Sequence, residues 1–509
     1  MKLLSFLFFI IVSLQTLSQP AMLDSTFGSN GLVTTSISSG VAEIRSITIQ
    51  PDGKIVGVGP IYNGSTYNFG VVRYLPDGSL DTTFNGNGIK TFEFDSASYD
   101  EAHGVTLQSN GKIVIVGLSN VTKQNFAIVR LNTNGSFDTT FSDDGKQITS
   151  FGIQYDLANA VAIQPDGKIV VAGASANPQL YYSFALARYL TDGTLDSTFS
   201  NDGLQVVPLT SSDNIINSIV LQSDGKIVVA GYADQGQGVN DFAIARFLPD
   251  GRIDSSFNSI GYALTQLPGA GGYDQAWSAL IQPDGKIVVA GTSAQYHQGI
   301  TAAVVRYLTD GTLDSTFSLD GKVWYGLGSG NLIMHSALLQ PNGKILLAGY
   351  DTTMTLMRFN SDGSIDQTLS PITIVFSPDI GPCEGFTAAM QADGKIIIAG
   401  SNSNGSNMDF AIARYITDVT LSINEPIVTE DFALYPNPVH DKATLKFIKS
   451  NILNFVFTLR DLTGRIVYEK RINGNEFIFE RGLLNSGLYI WTLEENTGKI
   501  IGAGKVVLA

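Results

Sequence analysis

The chain has 509 residues, of which 44% are hydrophobic and only 15% are charged. This length can support one large core and a smaller second domain, and low charge with 53 glycines is typical of an all-β protein with many turns. The formal net charge of −15 repels phosphate backbones, which excludes nucleic acid as an expected partner.

The first 18 residues have the pattern of a secretory signal peptide. Lys2 precedes an almost wholly apolar run from Leu3 to Leu14, and the small residues Thr16 and Ser18 fit a cleavage site. The run is shorter than the roughly 20 residues that a membrane-spanning helix needs, and no later stretch is apolar enough to span a bilayer. We therefore predict export, with residues 1–18 as the signal and no stable membrane span.

Seven copies of one pattern occupy residues 22–416. Each copy contains Gln-x-Asp/Asn-Gly-Lys-Ile, followed by an apolar run that ends in glycine, and the copies are 51–60 residues apart. Such a period indicates stacked supersecondary units. The copies begin at Gln50, Gln108, Gln164, Gln222, Gln282, Gln340 and Gln391.

The third copy illustrates the predicted unit. Residues 160–164 and 168–173 are predicted as strands A and B, joined by an Asp-Gly turn in which glycine adopts a positive φ. Residues 184–189 are predicted as strand C, and a second Asp-Gly turn leads to a strand D that begins at 195–199. Four antiparallel strands form one propeller blade, so the predicted fold is an all-β, seven-bladed β-propeller with strand A innermost and strand D outermost.

The order of the repeated elements predicts how the ring closes. A Leu/Phe/Ile-Asp element recurs at Asp24, Asp81, Asp138, Asp196, Asp254, Asp314 and Asp366. Its first copy precedes the first strand A, whereas the last A-B-C set ends at Tyr415 without such an element. We expect residues 23–27 to supply strand D of the final blade, which leaves no open sheet edge.

Five residues before each repeated Gln, the copies differ from one another. These positions are predicted to lie where strand A begins, near the axis, on the face that carries the longer and more variable D–A and B–C loops. A ring of aromatic, amide and basic side chains there suits a sugar, peptide or other polar ligand. The alternative is that unconstrained positions vary freely. The candidate ligand-binding residues are Arg45, His103, Asn159, Asn217, Trp277, His335 and Phe386.

The repeated charged residues are interpreted as structural. Each strand C carries an arginine and each D element an aspartate, which favours an Arg–Asp pair over a calcium site, because calcium needs several converging oxygens. The repeated Lys is expected to be a solvated turn charge. No metal, cofactor or catalytic residue is predicted, since nucleophile-elbow, zinc-protease and phosphate-loop motifs are absent from the sequence. The single cysteine, Cys383, allows no internal disulfide, and a core or loop thiol is favoured over a catalytic one.

The repeat ends after Tyr415. Residues 417–430 are polar, contain Pro426 and are predicted as a linker. Residues 431–509 combine alternating apolar residues with glycine turns, which predicts a small β-sandwich.

Both regions resemble known families. Through QPDGKIVVAG, FALARY and DGTLDSTF, residues 22–416 resemble the delta-60 repeat (DUF5122-type), a bacterial β-propeller family whose function is poorly defined. Through YPNP-x-x-D, D-x-x-G-R-x-V and L-x-S-G-L-Y-I, the C-terminal region resembles the type A sorting domain of type IX secretion cargo. The second resemblance implies that the type IX secretion machinery is a partner, that the domain is removed, and that the protein is released or attached at the surface of a Gram-negative bacterium.

These observations favour an exported binding or adhesion protein that uses the variable-loop face. Its ligand would be a glycan or a protein. A secreted enzyme that degrades polysaccharide or peptide with the same face is the alternative, and a structural surface component is a third hypothesis. Acidic or histidine residues that converge near the axis would favour the enzyme.

Overall fold

The computed structural model describes residues 22–417, except 97, 122, 153–154, 269–271, 296–298, 328–329, 370 and 377–380. In the C-terminal region it describes 432–435, 439, 441–447, 455–460, 466–473, 476–482, 484, 487–495 and 500–508. The predicted signal peptide and residues 418–430 of the predicted linker lie outside the described residues. The chain divides between residues 418 and 419 into two compact units.

The described residues of the first unit form seven antiparallel sheets, as predicted for a seven-bladed propeller. Two N-terminal strands precede them, β1 (Met22–Leu23) and β2 (Leu32–Thr35). Blades 1 to 3, each from strand A to strand D, consist of β3–β6 (Ser46–Ile49, Ile55–Tyr62, Tyr67–Tyr74, Ile89–Phe92), β7–β10 (Tyr99–Leu107, Ile113–Asn120, Gln124–Leu131, Lys146–Thr149) and β11–β14 (Asp156–Ile163, Ile169–Ala176, Tyr182–Tyr189, Leu204–Val207).

The remaining blades repeat this order. Blades 4 to 6 consist of β15–β18 (Asn214–Leu221, Ile227–Asp234, Asn240–Phe247, Tyr262–Thr265), β19–β22 (Asp274–Ile281, Ile287–Gln295, Gly299–Tyr307, Lys322–Tyr325) and β23–β26 (Ile333–Leu339, Ile345–Tyr350, Met354–Phe359, Ile372–Ile374). Blade 7 contributes only β27–β29 (Cys383–Met390, Ile396–Ser403, Met408–Ile416) before the propeller sequence ends.

The repeated Asp-Gly turn has the predicted backbone. In blade 3 the Gln164 N–H donates to Lys168 O (2.9 Å), the Gly167 N–H donates to Gln164 O (2.8 Å), and Gly167 has a φ of +86°. A three-residue loop of this kind needs glycine at its last position, because a side chain there would be strained. The A–B and C–D turns share one end of each blade, which we call the turn face, and the other end is the loop face.

The prediction for strand D was wrong in its position. In blade 3, strand D is Leu204–Val207 and pairs with strand C from Phe184↔Val207 to Ala187↔Leu204. The Leu-Asp-Ser-Thr-Phe element at 195–199 instead forms turns after a single bridge between Leu195 and Tyr189. The element resembles a strand in sequence because it mixes β-branched and aromatic residues, but Asp196 is a turn cap, accepting from Thr198 N–H (3.0 Å) and Thr198 Oγ1 (2.7 Å).

The predicted ring closure is present, but the closing outer strand lies further along the chain than predicted, as strand D does in the other blades. The sheet of blade 7 is completed by the N-terminal segment, in which β1 pairs with β29 at Leu23↔Tyr415 and β2 pairs with β29 from Leu32↔Ala413 to Thr35↔Phe410. The outer strand of blade 7 is therefore Leu32–Thr35, rather than residues 23–27. Because the two ends of the propeller share one sheet, opening the ring requires breaking a strand pairing.

The core lies between blades. The described residues form a buried apolar cluster between each pair of neighbouring blades, seven clusters in all. The closing cluster joins Phe27 and Ile44 to Ile397 and Phe410. Each strand A also contacts the strands A on both sides, including β27 with β3, so these innermost strands surround the axis. A blade therefore buries its two faces only against its neighbours.

The repeated Arg and Asp residues form the predicted structural pairs. Arg Nε lies 2.5–2.9 Å from Asp Oδ2 in all seven blades, and every such side chain is at most 7% exposed. The arginine also reaches the next blade, since Arg130 and Arg306 donate from Nη1 to Thr191 O (2.5 Å) and Ser361 O (2.6 Å). The pairs are Arg73–Asp81, Arg130–Asp138, Arg188–Asp196, Arg246–Asp254, Arg306–Asp314, Arg358–Asp366 and Arg414–Asp24.

The repeated lysine belongs to the same network, which corrects its interpretation as a solvated charge. Its Nζ lies 2.7–3.9 Å from the same Asp Oδ2, with only about a quarter of the side chain exposed. Burial opposes ionisation of Asp24, but hydrogen bonds from Thr26 and Lys395 and the charge of Arg414 lower its pKa to about 2. The network thus holds each carboxylate in its charged form.

The second unit is a small β-sandwich. One sheet contains β30, β31 and β34 (Phe432–Tyr435, Lys442–Phe447, Glu476–Glu480), and the other contains β32, β33, β35 and β36 (Phe455–Arg460, Ile466–Ile472, Gly487–Glu495, Ile500–Leu508). Side chains of both sheets share one core, in which the Phe457 ring lies 5.3 Å from Phe477 and 6.3 Å from Trp491.

We predict that deleting residues 22–36 lowers the melting temperature of the propeller sharply, by about 10 °C or more, because it removes the closing strand and the Asp24–Arg414 pair. Thermal unfolding followed by circular dichroism measures the change, with a chain that begins at residue 22 as the control. An unchanged melting curve would reject the closure.

We also predict acid sensitivity from the aspartates. In the folded protein the pKa values of Asp24, Asp81 and Asp196 are lowered from 3.8 to about 2. The charged carboxylates therefore stabilise the fold fully above about pH 4, and this contribution is lost as the pH falls through about 2. Asp81→Asn should lower the melting temperature at pH 7, and the difference from the wild type should shrink between pH 4 and pH 2. Asp52→Asn, at an exposed turn, is the control. A difference that is constant with pH would contradict this origin.

Candidate functional site

The candidate ligand-binding residues lie at a β-bulge within strand A, rather than at its beginning. The register with strand B shifts between the two neighbours of the residue in six blades, for example between Ala158 and Ala160. In blade 1, Arg45 takes the equivalent place directly before β3, where its N–H donates to Val58 O (2.8 Å). A bulge adds one residue without a partner in the ladder, so its side chain is free to turn toward the axis. We call the seven residues the bulge residues.

The glycine that ends each apolar run makes room for the bulge. A Cβ at Gly173 would lie 2.0 Å from Leu157 O, and the equivalent distances in the other blades are 1.7–2.0 Å. These contacts are with backbone on the neighbouring strand, so no rotamer change can relieve them. The repeated glycine is therefore required because the strand A backbone comes close to it at the residue two positions before the bulge residue.

All seven bulge residues line a single cavity of about 670 Å³ at the axis. Residues of every strand A contribute to its wall, and Tyr232 and Tyr273 from the loop face contribute as well. The structure therefore brings together every residue that the sequence analysis named.

One side of the ring is polar and bonded from blade to blade. His103 Nδ1 lies 3.0 Å from Ala158 O, Asn159 Nδ2 donates to Ile216 O (2.8 Å), and Asn217 Nδ2 donates to Ala276 O (2.9 Å). In each case the acceptor is the carbonyl just before the next bulge residue. Three of the seven side chains thus connect neighbouring blades, so these positions are not free of structural constraint.

The other side of the ring is aromatic. The His335 ring lies 4.5 Å from Trp277 and 5.4 Å from Phe386, and it stacks with Tyr350 at 5.7 Å. The Arg45 guanidinium lies 4.3 Å above the Phe386 ring, a cation–π contact. Burial, with the charge of Arg45, lowers the pKa of His335 to about 3, so this ring is neutral near pH 7.

Two nitrogens in this aromatic wall have no hydrogen-bond partner among the described residues. Trp277 Nε1 and His335 Nε2 are both buried atoms. A buried polar atom without a partner costs free energy, of order 1–3 kcal/mol. A ligand that hydrogen-bonded to these atoms would recover part of that cost.

Three carboxylates lie beside the ring that were not among the candidate ligand-binding residues, although the acidic pair Asp100 and Glu101 is one that could serve glycoside chemistry. Glu43, Glu101 and Glu384 each precede a bulge residue by two positions in blades 1, 2 and 7, which are adjacent in the closed ring. Arg45 Nη2 lies 2.5 Å from Glu43 Oε2. The spacing of two, which keeps a strand residue on the same face, is the signal that could have identified them.

Glu101 is the centre of a short hydrogen-bonded chain. Tyr99 Oη donates to Glu101 Oε1, and His103 Nε2 lies 3.2 Å from Glu101 Oε2. Burial opposes ionisation of Glu101, but its bonds to His103 and Tyr99 and the charge of Arg45 lower its pKa. The Ala158 carbonyl only accepts, so the hydrogen bond at Nδ1 of His103 requires Nδ1 to be the donor.

Elsewhere, chemistry-bearing groups are scarce in the described part of the chain. It contains no group of three or more His, Cys, Asp or Glu residues that could hold a metal ion. Cys383 is buried, its Sγ–H donates to Ile374 O (3.0 Å), and burial raises the pKa of the thiol.

Comparison with known families identifies both parts of the chain. The family described as "Domain of unknown function (DUF5122) beta-propeller" matches residues 50–84, 108–141, 164–199, 222–257, 282–317, 340–369 and 391–418. The family described as "Secretion system C-terminal sorting domain" matches residues 433–508. The chain is a DUF5122 β-propeller protein with a C-terminal sorting domain. Both resemblances seen in the sequence are thereby confirmed.

The sorting domain indicates the export route of this DUF5122 propeller. Domains of this type direct export by the type IX machinery to the cell surface or the medium in bacteria of the Bacteroidetes type, so that machinery is a partner of the chain. The residues that the structure describes include no helix with the length and apolarity that a bilayer crossing requires.

Solved structures are similar to the DUF5122 propeller only at a low level. A protein of unknown function from Dyadobacter fermentans is 13% identical with a TM-score of 0.39, covering 76% of this chain and 98% of its own. For a streptogramin B lyase the identity is 14% and the TM-score 0.42, with coverages of 75% and 97%. PorZ of Porphyromonas gingivalis, a surface component of the type IX secretion system, is 9% identical with a TM-score of 0.25, and the match covers 92% of this chain and 81% of PorZ.

Such distant similarities carry no argument about the function of this chain. No curated protein matches it at a significant level.

We predict that Gly173→Ala destabilises the propeller by about 1–3 kcal/mol or more, because the new methyl group meets the Leu157 carbonyl. Urea unfolding measures the effect. Gly152→Ala is the matched control, since a Cβ at Gly152 meets nothing within 4 Å. Equal stabilities of the two variants would show that strand A does not need this glycine.

Proposed function

We propose that this exported propeller is a binding protein whose central cavity takes a glycan, a peptide or another small polar ligand. The observation that carries the proposal is the convergence of all seven bulge residues on one cavity of about 670 Å³. That volume suits a small ligand, and cavities with a few polar groups among aromatic residues are common binding sites. Neighbouring variable loops on the same face would extend the contact.

The aromatic wall supports a binding role over a purely structural one. On the polar side of the ring, Asn159 and Asn217 donate to the neighbouring blade. Trp277 Nε1 and His335 Nε2 are unpaired instead, and both residues line the cavity. The rings of both residues therefore offer aromatic surface to a ligand in the cavity.

An enzyme remains the second candidate because of one observation. Glu101 and His103, joined by a hydrogen bond, place a carboxylate and an imidazole side by side on the cavity wall, which is an arrangement suited to general acid–base catalysis. A hydrolase or lyase that acts on polysaccharide or peptide would use this pair. A hydrolysis screen with the same substrates distinguishes it from a binding protein.

We predict that Trp277→Ala and Arg45→Ala each weaken binding of a ligand found on a glycan or peptide array by about tenfold or more. Isothermal titration calorimetry measures the affinity, and the hydrolysis screen is run in parallel. Leu319→Ala, at a residue that is 93% exposed and does not line the cavity, is the control. If both cavity variants bind as tightly as the wild type, the cavity is not the binding site.

A further inference from the structure

Four tyrosines of blades 3 to 5 lie on the loop face beside the cavity. Tyr232 and Tyr273 line the cavity itself, whereas Tyr155 and Tyr182 belong to blade 3, directly before strand A and at the start of strand C. Tyr155 and Tyr273 are each 44% exposed, although a tyrosine ring is mostly apolar. We call these four residues the rim tyrosines. Exposed aromatic side chains beside a cavity indicate a binding surface that is larger than the cavity.

Hydrogen bonds bring the two tyrosines of blade 3 together. Tyr155 O accepts from the Ala176 N–H (2.8 Å), and Ala176 pairs with Tyr182 across strands B and C. Residues that face one another across adjacent strands project to the same side of a sheet. Tyr155 and Tyr182 therefore flank the small side chain of Ala176 on one face of the blade.

Blade 4 continues this surface towards the cavity. The Tyr182 N–H donates to Asp213 Oδ1 (2.9 Å), and the Asp234 N–H donates to Asp213 O (2.7 Å), so Asp213 joins the two blades. Tyr232 lies two residues before Asp234 on the same strand. Burial, with the charge of Asp213 and the nearby Tyr273 and Tyr182, raises the pKa of Tyr232 to about 12. The rim tyrosines thus lead from blade 3 to the cavity.

The charged groups that line the cavity balance one another. Arg45 is the one arginine or lysine, and Glu101 the one carboxylate, among the described residues of the wall. The Arg45 side chain is 40% exposed and uses Nη2 for Glu43, so other N–H groups remain for a ligand. Glu101 accepts from Tyr99 and lies beside His103, and a carboxylate can accept further hydrogen bonds. A hydroxyl group both donates and accepts, so a neutral ligand with several hydroxyl groups suits Arg45 and Glu101.

On these observations, and resting on the proposed binding role, we infer that the ligand is an uncharged glycan chain that runs from the cavity across the rim tyrosines. One sugar unit occupies the cavity, with its apolar C–H face against Trp277 and its hydroxyl groups towards Arg45 and Glu101. The following units lie on the rim tyrosines, whose rings offer flat apolar area and whose hydroxyl groups can hydrogen-bond. An uncharged chain also avoids the repulsion that the formal net charge of −15 exerts on acidic polysaccharides.

Oligosaccharides of increasing length test the inference on the full chain. The probes are cello-, xylo-, manno- and malto-oligosaccharides of two, four and six units, titrated by calorimetry. At least one series should bind, and its affinity should rise about tenfold or more from two to six units, because only the longer chains reach blade 3. The affinity should stay the same as salt rises from about 0.05 to about 0.5 M, since the ligand carries no charge. If no series binds, or if affinity does not depend on length, the inference fails.

The Tyr182→Ala variant tests the assigned path. It should weaken binding of the six-unit chain about tenfold and leave binding of the two-unit chain unchanged, because the shorter chain stays in the cavity. Tyr155→Ala repeats the test at an exposed side chain, so that a folding defect in one variant does not decide the outcome. Tyr262→Ala, at a half-buried tyrosine on the outer strand of blade 4, is the matched control and should bind both chains normally.

The remaining outcomes separate this inference from the proposed function. If the only ligands that depend on Trp277 are peptides or charged glycans, or if both rim variants bind the six-unit chain as tightly as the wild type, the inference fails and the binding role stands. If no probe and no array ligand binds in a way that depends on Trp277 or Arg45, both fail.

Discussion

The centre of this propeller depends on the close approach of strands A and B. At the repeated glycine, strand B has no space for a side chain. A glycine in each strand B allows the strand A backbone to come within contact distance, and strand A then bulges by one residue. The bulge turns a side chain toward the axis, and in blades 3, 4 and 5 the carbonyl just before it accepts a hydrogen bond from the preceding blade. One steric requirement, repeated seven times, thus creates both the wall of the cavity and part of the bonding between blades.

The two faces of the ring serve different purposes. On the turn face, Arg, Asp and Lys repeat without exception because each set joins strands of its own blade and the arginine reaches the next blade, which stabilises the closed ring. Around the cavity the residues differ from blade to blade. His103, Asn159 and Asn217 still bond to the neighbouring blade, while Trp277 and His335 keep unpaired nitrogens. Three of the seven variable positions therefore have a structural role, and the proposed ligand contacts fall on the others.

Sequence reasoning succeeded for the turns, the Arg–Asp pairs and the ring closure, and it failed for the position of strand D and for the partner of the repeated Lys. The Asp-Gly turns and the Arg–Asp pairing follow from local chemistry. Strand D was misplaced because Leu-Asp-Ser-Thr-Phe has strand-like composition, and only the Asp cap shows that it is a turn. The repeated Lys was taken as solvated because its partner is distant in sequence: it lies 22–28 residues away in six blades, and Lys395 of blade 7 pairs with Asp24.

By itself, the sequence determined the all-β class, the number of blades, the closure by the N-terminal segment and the export route, because repeat spacing, turn chemistry and sorting motifs are properties of local sequence. It also located the seven positions near the axis, since they are where the repeat varies. Only the tertiary structure decided that these positions are bulges, that they share one cavity, and which of them are already bonded. Those properties arise when seven separate strands converge at the axis, and no single repeat contains that information.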